Sequence, residues 1–465
     1  MADATAATGT LRVGAAQVDI TPPRGTQIAG DIGRRRPAEI VLDPIYAKAL
    51  VLEAEAMRLC VLSLDLLAAD DASIAEIRRQ TAEKLALAPE NVMVHVVQNH
   101  AAPSLGHHLV TDECSLIPPE MEWFRGGDPA YDPFAIERVV EAIGEALAGL
   151  EPVSVGVARG MEDRVAFNRR FIMRDGTVKT HPSAQMRHEI LCREGPMDPE
   201  VGVVCFTADP LRNVAMLLHH TCHPVHGYPK RYISAGWPGA WSRQMAAAHG
   251  PDSIPLVING CCGNIHHANH LDPHQVDDPI RMGECLTETA GEVLQRLAYG
   301  DGLPLACKST SLSIPIREVP EAKLEQARSF LAEHPEPIYK DAERTAVDWA
   351  WHYAVAALDV HELRQRQPER PYEIQAFRIG DIALLALGGE PFVEAQLRIK
   401  AESPAAFTFL AHMSNGYVGY VPTREAFDRG GYETDTSLGS CLVPEALEMI
   451  TDASVQLLKA LFATA

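Results

Sequence analysis

Nineteen of the 465 residues are histidine, and four of them, His219, His220, His223 and His226, fall in the stretch 217–229, LLHHTCHPVHGYP. Pro224 biases His223 away from helical angles, so His219 and His223 do not describe one face of a helix. The apolar run 214–218 ahead of them reads as a buried strand ending in a histidine-rich loop. In an open α/β sheet, the carboxyl end of a strand is where catalytic groups collect. Two further windows share the bias: 94–109 carries His95, His100, His107 and His108, and 259–274 carries His266, His267, His270 and His274. Convergence on a metal explains such grouping most simply. Neutral imidazole is the commonest zinc ligand, and a catalytic zinc takes about three protein ligands plus an open position for water.

The elements that must position these residues alternate along the chain. A first strand is expected over 11–20, a hairpin over 46–67 with a polar link at 53–58, and a helix to residue 85 capped by Asp70 or Asp71. A strand over 92–97 delivers Gln98, Asn99 and His100. The stretch 103–132 is irregular and longer than an idle loop, which suits a lid or substrate loop. Helices follow over 134–150, 237–249, 281–297, 392–401 and 443–462, with strands over 201–206, 214–218, 255–258 and 408–412. Turn signals sit at Arg174-Asp175-Gly176-Thr177 and Gly380-Asp381. Residues 320–366 read as a mostly helical insertion over the active-site edge, with Trp349 and Trp351 as core. Such alternation predicts an α/β fold, a mixed sheet or sheets covered by helices, in a single elaborated domain spanning 1–465.

Bulk properties narrow the partners. With 41 basic and 62 acidic residues the net charge is -21, which disfavours nucleic acid and anionic membrane surfaces. The triplet Arg34-Arg35-Arg36 is too short to reverse this and reads as a solvated loop. The N-terminal segment MADATAATGT has neither the basic start nor the apolar core of a signal peptide, and no apolar run is long enough to span a bilayer. A soluble, cytoplasmic protein acting on a small molecule is expected, with assembly into a homo-oligomer left open. Ten cysteines without a CxxC pair fit reduced, buried thiols. Adjacent Cys261 and Cys262 read as packing beside the site, with a thiolate ligand as the alternative.

An ordered set of blocks then carries a resemblance. These are Gly14-Ala15-Ala16 through Pro22-Pro23, Asn99-His100-Ala101-Ala102-Pro103, Asn168-Arg169-Arg170, Cys222-His223-Pro224, Asn259-Gly260 to Gly263-Asn264, Gly389-Glu390-Pro391-Phe392, and Asn415-Gly416-Tyr417-Val418-Gly419-Tyr420 to Tyr432-Glu433. In order and over nearly the whole chain, they resemble the neutral/alkaline ceramidase family. The resemblance implies that family's α/β catalytic domain, here without its C-terminal immunoglobulin-like domain, and hydrolysis of an amide with one Zn2+ ion. It implies His223, Glu390 and Tyr420 as metal ligands, with Tyr417 the alternative to Tyr420. His100 and Arg169 would assist catalysis and hold the substrate or its oxyanion, and Tyr432 would hydrogen-bond substrate. One position departs: where the family has its first ligand histidine, this chain has Gln98. Either Gln98 itself ligates, or His100, His107, His108 or His226 substitutes, or the metal is weakly held or absent.

The residues support the same chemistry directly. A divalent ion bound by imidazole and carboxylate brings the pKa of its water to about 7, and a fixed cation such as Arg169 stabilises developing negative charge. Glu390 after two glycines has the alternative role of capping the helix beyond it. No dinucleotide or phosphate-loop glycine pattern and no GxSxG elbow is present, and Cys222 beside His223 is poorly placed as a thiol nucleophile. The expectation is a zinc-dependent amidohydrolase acting on a small soluble substrate. Alternatives are a lactone or ester hydrolase, a metal-assisted isomerase on a sugar-derived substrate, and a metal-free binding descendant.

Overall fold

The computed structural model describes residues 10–463 except Pro273 and Gly302. Three mixed sheets carry the architecture. In the first, the strands Val92–Val96, Met57–Leu64, Tyr46–Ala54, Arg12–Asp19 and Glu151–Pro152 lie in that order. The second runs Ile254–Asn259, Arg212–His220, Glu200–Asp209, Ser154–Met161 and Ala298–Gly300, and the third runs Leu305–Pro315, Glu369–Ile379, Ile382–Leu387 and Phe407–Ala411. Each sheet is antiparallel except for one parallel pair at its end: Met57–Leu64 with Val92–Val96, Arg212–His220 with Ile254–Asn259, and Ile382–Leu387 with Phe407–Ala411.

Apolar residues explain how the sheets assemble. Leu50, Leu52 and Val61 of the first sheet, Val204, Leu217 and Leu256 of the second, and Phe377, Ile382 and Leu384 of the third form one buried cluster, so the sheets pack on one another at the centre. Their outer faces are covered by helices. Asp71–Leu85 and Asp132–Ala148 lie on the first, Gly236–His249 and Pro279–Leu294 on the second, and Val393–Glu402 and Ala446–Phe462 on the third. Strands buried on both faces account for the continuous hydrophobic runs in the sequence.

Local signals act as expected where a named group makes the bond. Asp70 accepts from the Ser73 amide at 2.7 Å and starts the first helix, and Gly176 turns the hairpin between Arg170–Met173 and Val178–Thr180 with φ 84°. Two readings change. The edge strand Leu305–Pro315, LACKSTSLSIP, is absent from the sequence reading because its exposed face alternates serine, threonine and lysine with apolar residues. Arg36 is not solvated: it is fully buried and donates to the carbonyls of Ala29, His100, Gly227 and Lys230. Four carbonyls from three segments thereby converge on one guanidinium, which has the donors to satisfy them.

The region 320–366 contains two helices, Glu321–Glu333 and Trp349–Arg366, separated by irregular chain. Trp351 is buried edge-on against Phe124 at 5.6 Å, as a core residue should be. Trp349 is 55% exposed and stands at the mouth of a cavity, so the core assignment holds for one tryptophan and not the other. Residues 103–132 include the short 3-10 helix Pro119–Arg125, whose Met121 and Phe124 join Val110, Cys114, Ile117, Val347, Trp351 and Val355 in a separate apolar cluster.

Candidate active site

The three parallel pairs all aim their carboxyl ends at one place. Beyond Val92–Val96 come Gln98 and His100; beyond Arg212–His220 comes His223; beyond Ile254–Asn259 comes Cys262. Beyond Ile382–Leu387 comes Glu390, and beyond Phe407–Ala411 come His412, Tyr417 and Tyr420. Asn259 ties these ends together. Its amide nitrogen donates to the carbonyls of Val97 and Cys222, both at 3.0 Å, its side-chain oxygen accepts from the Cys222 amide, and its own carbonyl accepts from the His412 amide. Through its side chain and its backbone carbonyl, this one buried residue fixes strand ends from all three sheets. The cavity above them has a volume of about 430 Å³ and is lined by Gln98, His100, Arg169, His223, Glu390, Tyr417, Tyr420 and Tyr432 among others.

The paired imidazoles come first. His100 Nδ1 lies 2.9 Å from the Gly30 carbonyl, which only an N–H satisfies, leaving Nε2 as a lone pair. That Nε2 faces His223 Nε2 at 2.9 Å. Two such nitrogens approach this closely only with a proton or a cation between them. A side chain at Gly30, whose φ is 83°, would place its Cβ 2.5 Å from His100 Nδ1, so the glycine is required by the close approach. Burial pushes the pKa of His100 down to about 3, and burial with the nearby Arg169 charge lowers that of His223. Both imidazoles are therefore neutral.

Glu390 opens the short strand Glu390–Pro391, paired in parallel with Tyr420–Val421 in register Glu390↔Tyr420. The following helix, Val393–Glu402, begins after Phe392 without a side-chain cap, so Glu390 is no helix cap. Its Oε1 accepts from the Tyr417 hydroxyl at 3.3 Å, while its Oε2 is buried with no partner. Burial raises its pKa to about 7, against the opposing influence of Gln98, Arg169 and the two tyrosines. Both Tyr417 and Tyr420 reach the carboxylate, and the choice between them as a cation partner is not forced by position.

Arg169 is fixed on every side. It donates through Nε to Glu433 at 3.2 Å and through one terminal nitrogen to the Gly263 carbonyl at 2.6 Å, and its plane lies near the rings of Tyr420 and Tyr432 at 5.5 and 5.4 Å. Its other terminal nitrogen lies 3.4 Å from His223 Nδ1. Glu433 is shared with Arg170, which also pairs with Glu194, so the local charges balance. Tyr432 meets Tyr420 edge-on at 5.8 Å.

Gln98 takes a left-handed φ of 67° and accepts from the Cys262 thiol at 3.5 Å. Cys262 also approaches both ring nitrogens of His412 at 3.7–3.8 Å. Burial raises the thiol pKa, and Cys262 packs beside the site.

Only part of the histidine grouping serves this cavity. His100, His108, His223 and His266 line it, whereas His219 packs against Phe409 and His107 pairs with Asp112 and Glu122. His95 lies beneath the floor, bonded to the His412 carbonyl and the Asn259 amide. His181 and His352 line the cavity and His412 adjoins it, each from a segment with no local clustering to mark it. His352 is buried, and burial alone brings its pKa down to about 4. Its folded pKa lies below the ordinary value of 6.5, so its contribution is complete above pH 6.5 and is lost as the pH falls towards 4. Urea unfolding should show His352→Phe blunting the loss of stability between pH 6.5 and 4 by about 3 kcal/mol relative to the parent.

The donor chemistry fits a divalent cation: an unpartnered buried carboxylate oxygen, opposed imidazole nitrogens, two phenols and an amide. The spacing is looser than in a closed trio. Among the described residues, the His, Cys, Asp or Glu trio whose donor atoms all lie within 4.8 Å of one another is His226, His267 and Asp277.

Strand-end groups around an apolar cavity place this scaffold among α/β folds with a site at the sheet edge. No protein-family model matches the sequence, and no curated protein does. Solved structures do match. Neutral ceramidase from Pseudomonas aeruginosa superposes with a TM-score of 0.71 at 19% identity, covering 99% of this chain and 75% of that one. A ceramidase complexed with C2 gives 0.70 at 16% identity, covering 97% of this chain and 75% of its own. The chain therefore has the neutral ceramidase-like fold, as the ordered sequence blocks implied.

Proposed function

We propose that the protein is a zinc-dependent hydrolase that cleaves a C–N amide bond in a small substrate. The observation that carries this reading is the buried, unpartnered Glu390 Oε2 in the cavity that also holds the opposed Nε2 atoms of His100 and His223. His223, Glu390 and Tyr420 would hold the ion, with Gln98 supplying a weaker amide oxygen. When bound, it supplies Lewis acidity towards a carbonyl and a water acidic enough to act as nucleophile at neutral pH.

The chain's own residues do the rest. His100 is oriented by Gly30 so that Nε2 accepts a proton at the cavity floor. Arg169, locked by Glu433 and Gly263, presents fixed positive charge without reorganising during reaction. Tyr432 borders the same space and offers a hydroxyl to the substrate. Leu67, Leu109, Val225 and Met413 supply apolar wall, which favours a substrate with a compact apolar portion. A volume of about 430 Å³ supports a small molecule. No helix among the described residues is long and apolar enough to cross a membrane.

The test is a screen of short N-acyl amides and of lactones with zinc-loaded protein, parent and His223→Ala in parallel, following release of amine or acid. Amine release by the parent and its loss in the variant are expected. Turnover of lactones alone would move the reading to ester hydrolysis, and ligand-induced stabilisation without turnover would make the protein a binder.

A further inference from the structure

A second cluster of ligand-type side chains lies outside the group just described. His226 follows His223 in the loop after Arg212–His220, and His267 and Asp277 bracket the loop that leads into the helix Pro279–Leu294. His267 Nδ1 lies 2.5 Å and His226 Nε2 3.3 Å from the same oxygen, Oδ1 of Asp277. The two rings stack at 3.5 Å with only 13° between their planes. The side chains of His226 and His267 are 5% and 4% exposed, while that of Asp277 is 40% exposed. His226 Nδ1 and His267 Nε2 are buried with no partner.

We propose that His226, His267 and Asp277 form a second divalent transition-metal site, independent of the Glu390 centre. Two imidazoles and one carboxylate are the donor set that zinc and its neighbours favour, and they leave positions open for water. Donors on one tetrahedral zinc stand about 3.3 Å apart, and the three atoms already lie within 4.8 Å of one another, so the ion is reached once one imidazole turns out of the stack and both ring planes contain it. Half-exposed Asp277 gives the ion and its waters a route in.

The backbone around the cluster is prepared for this role. Asp278, next to Asp277, caps the following helix by accepting from the amides of Ile280 and Arg281. Gln275 donates to the His267 carbonyl at 2.8 Å, closing the loop on itself. The ion would pin this loop to the one carrying His223, and each supplies cavity wall. Val225 and Tyr228 flank His226, and His266 adjoins His267 with ring centroids 4.0 Å apart. Its effect on the cavity is to clamp two of its walls together.

Metal content measured by plasma mass spectrometry decides the matter, after loading with Zn2+ and removal of excess by gel filtration. The proteins compared are the parent, Asp277→Asn, His267→Gln and Glu390→Gln. The parent should hold about one equivalent more than either Asp277→Asn or His267→Gln, and Glu390→Gln should keep that equivalent. Zn2+ should also raise the melting temperature of Glu390→Gln and fail to do so once Asp277→Asn is added to it, a readout that needs no catalytic activity. Equal zinc in the parent, Asp277→Asn and His267→Gln overturns the proposal, as does a parent without zinc or complete loss of zinc in Glu390→Gln. The Glu390 reading can fail while this site binds, because the two sets of variants share no residue.

Discussion

Glu390→Gln should lower kcat/KM for amide hydrolysis by about 10³, some 4 kcal/mol of transition-state stabilisation, while leaving the fold intact. The substitution keeps the shape, removes the ionisable group and turns one acceptor oxygen into an NH2 donor. The carboxyl is already raised to about 7 by burial, so a neutral amide there adds no new desolvation penalty. Tyr417 can still donate to the retained oxygen. What is lost is the anion whose second oxygen no protein group satisfies. Steady-state kinetics on an amide turned over by the parent, with thermal melts of both proteins, provide the check. A variant as active as the parent would remove Glu390 from the chemistry.

Gln98→His should raise zinc affinity at the Glu390 centre at least about tenfold, because imidazole is a better zinc donor than a neutral amide oxygen. Position 98 is unusual in its backbone, with φ at 67°. Histidine visits that left-handed region more readily than most side chains, so the replacement does not oppose the local conformation. The floor also has a polar neighbour to receive a ring, since the Cys262 thiol meets the present amide. Competition with a chromophoric chelator at pH 7 measures the change, made in an Asp277→Asn background so that the two sites are not confused. Unchanged affinity would place position 98 outside the coordination sphere.

Much of the scaffold follows from short-range signals. The Asp70 cap, the Gly176 turn and the apolar strands are decided by groups within a few residues of each other, and these are readable from sequence. Arg36 is not, because the four carbonyls it satisfies come from segments up to 194 residues away. The same holds for His181, His352 and His412, each delivered to the cavity or its margin by tertiary folding alone. The sequence blocks carrying His223, Glu390 and Tyr420 were legible as a set through their order. Their shared cavity depends on parallel pairs in three sheets, for which no single window contains the information. His226 belongs to the histidine-rich loop by sequence and meets Asp277 in the fold, a contact no local window shows.

The apolar cluster of Met121, Phe124, Trp351 and Val355 sits apart from the buried centre of the three sheets. Leu109 packs against it, and Trp349, His352 and Tyr353, on the helix that carries Trp351, join Leu109 in the cavity wall. On the proposed hydrolase reading, selectivity and reactivity would be written into separately packed parts of the molecule. Recombining residues 103–125 and 338–355 with those of other proteins of this fold offers a route to new substrate ranges without disturbing the catalytic floor.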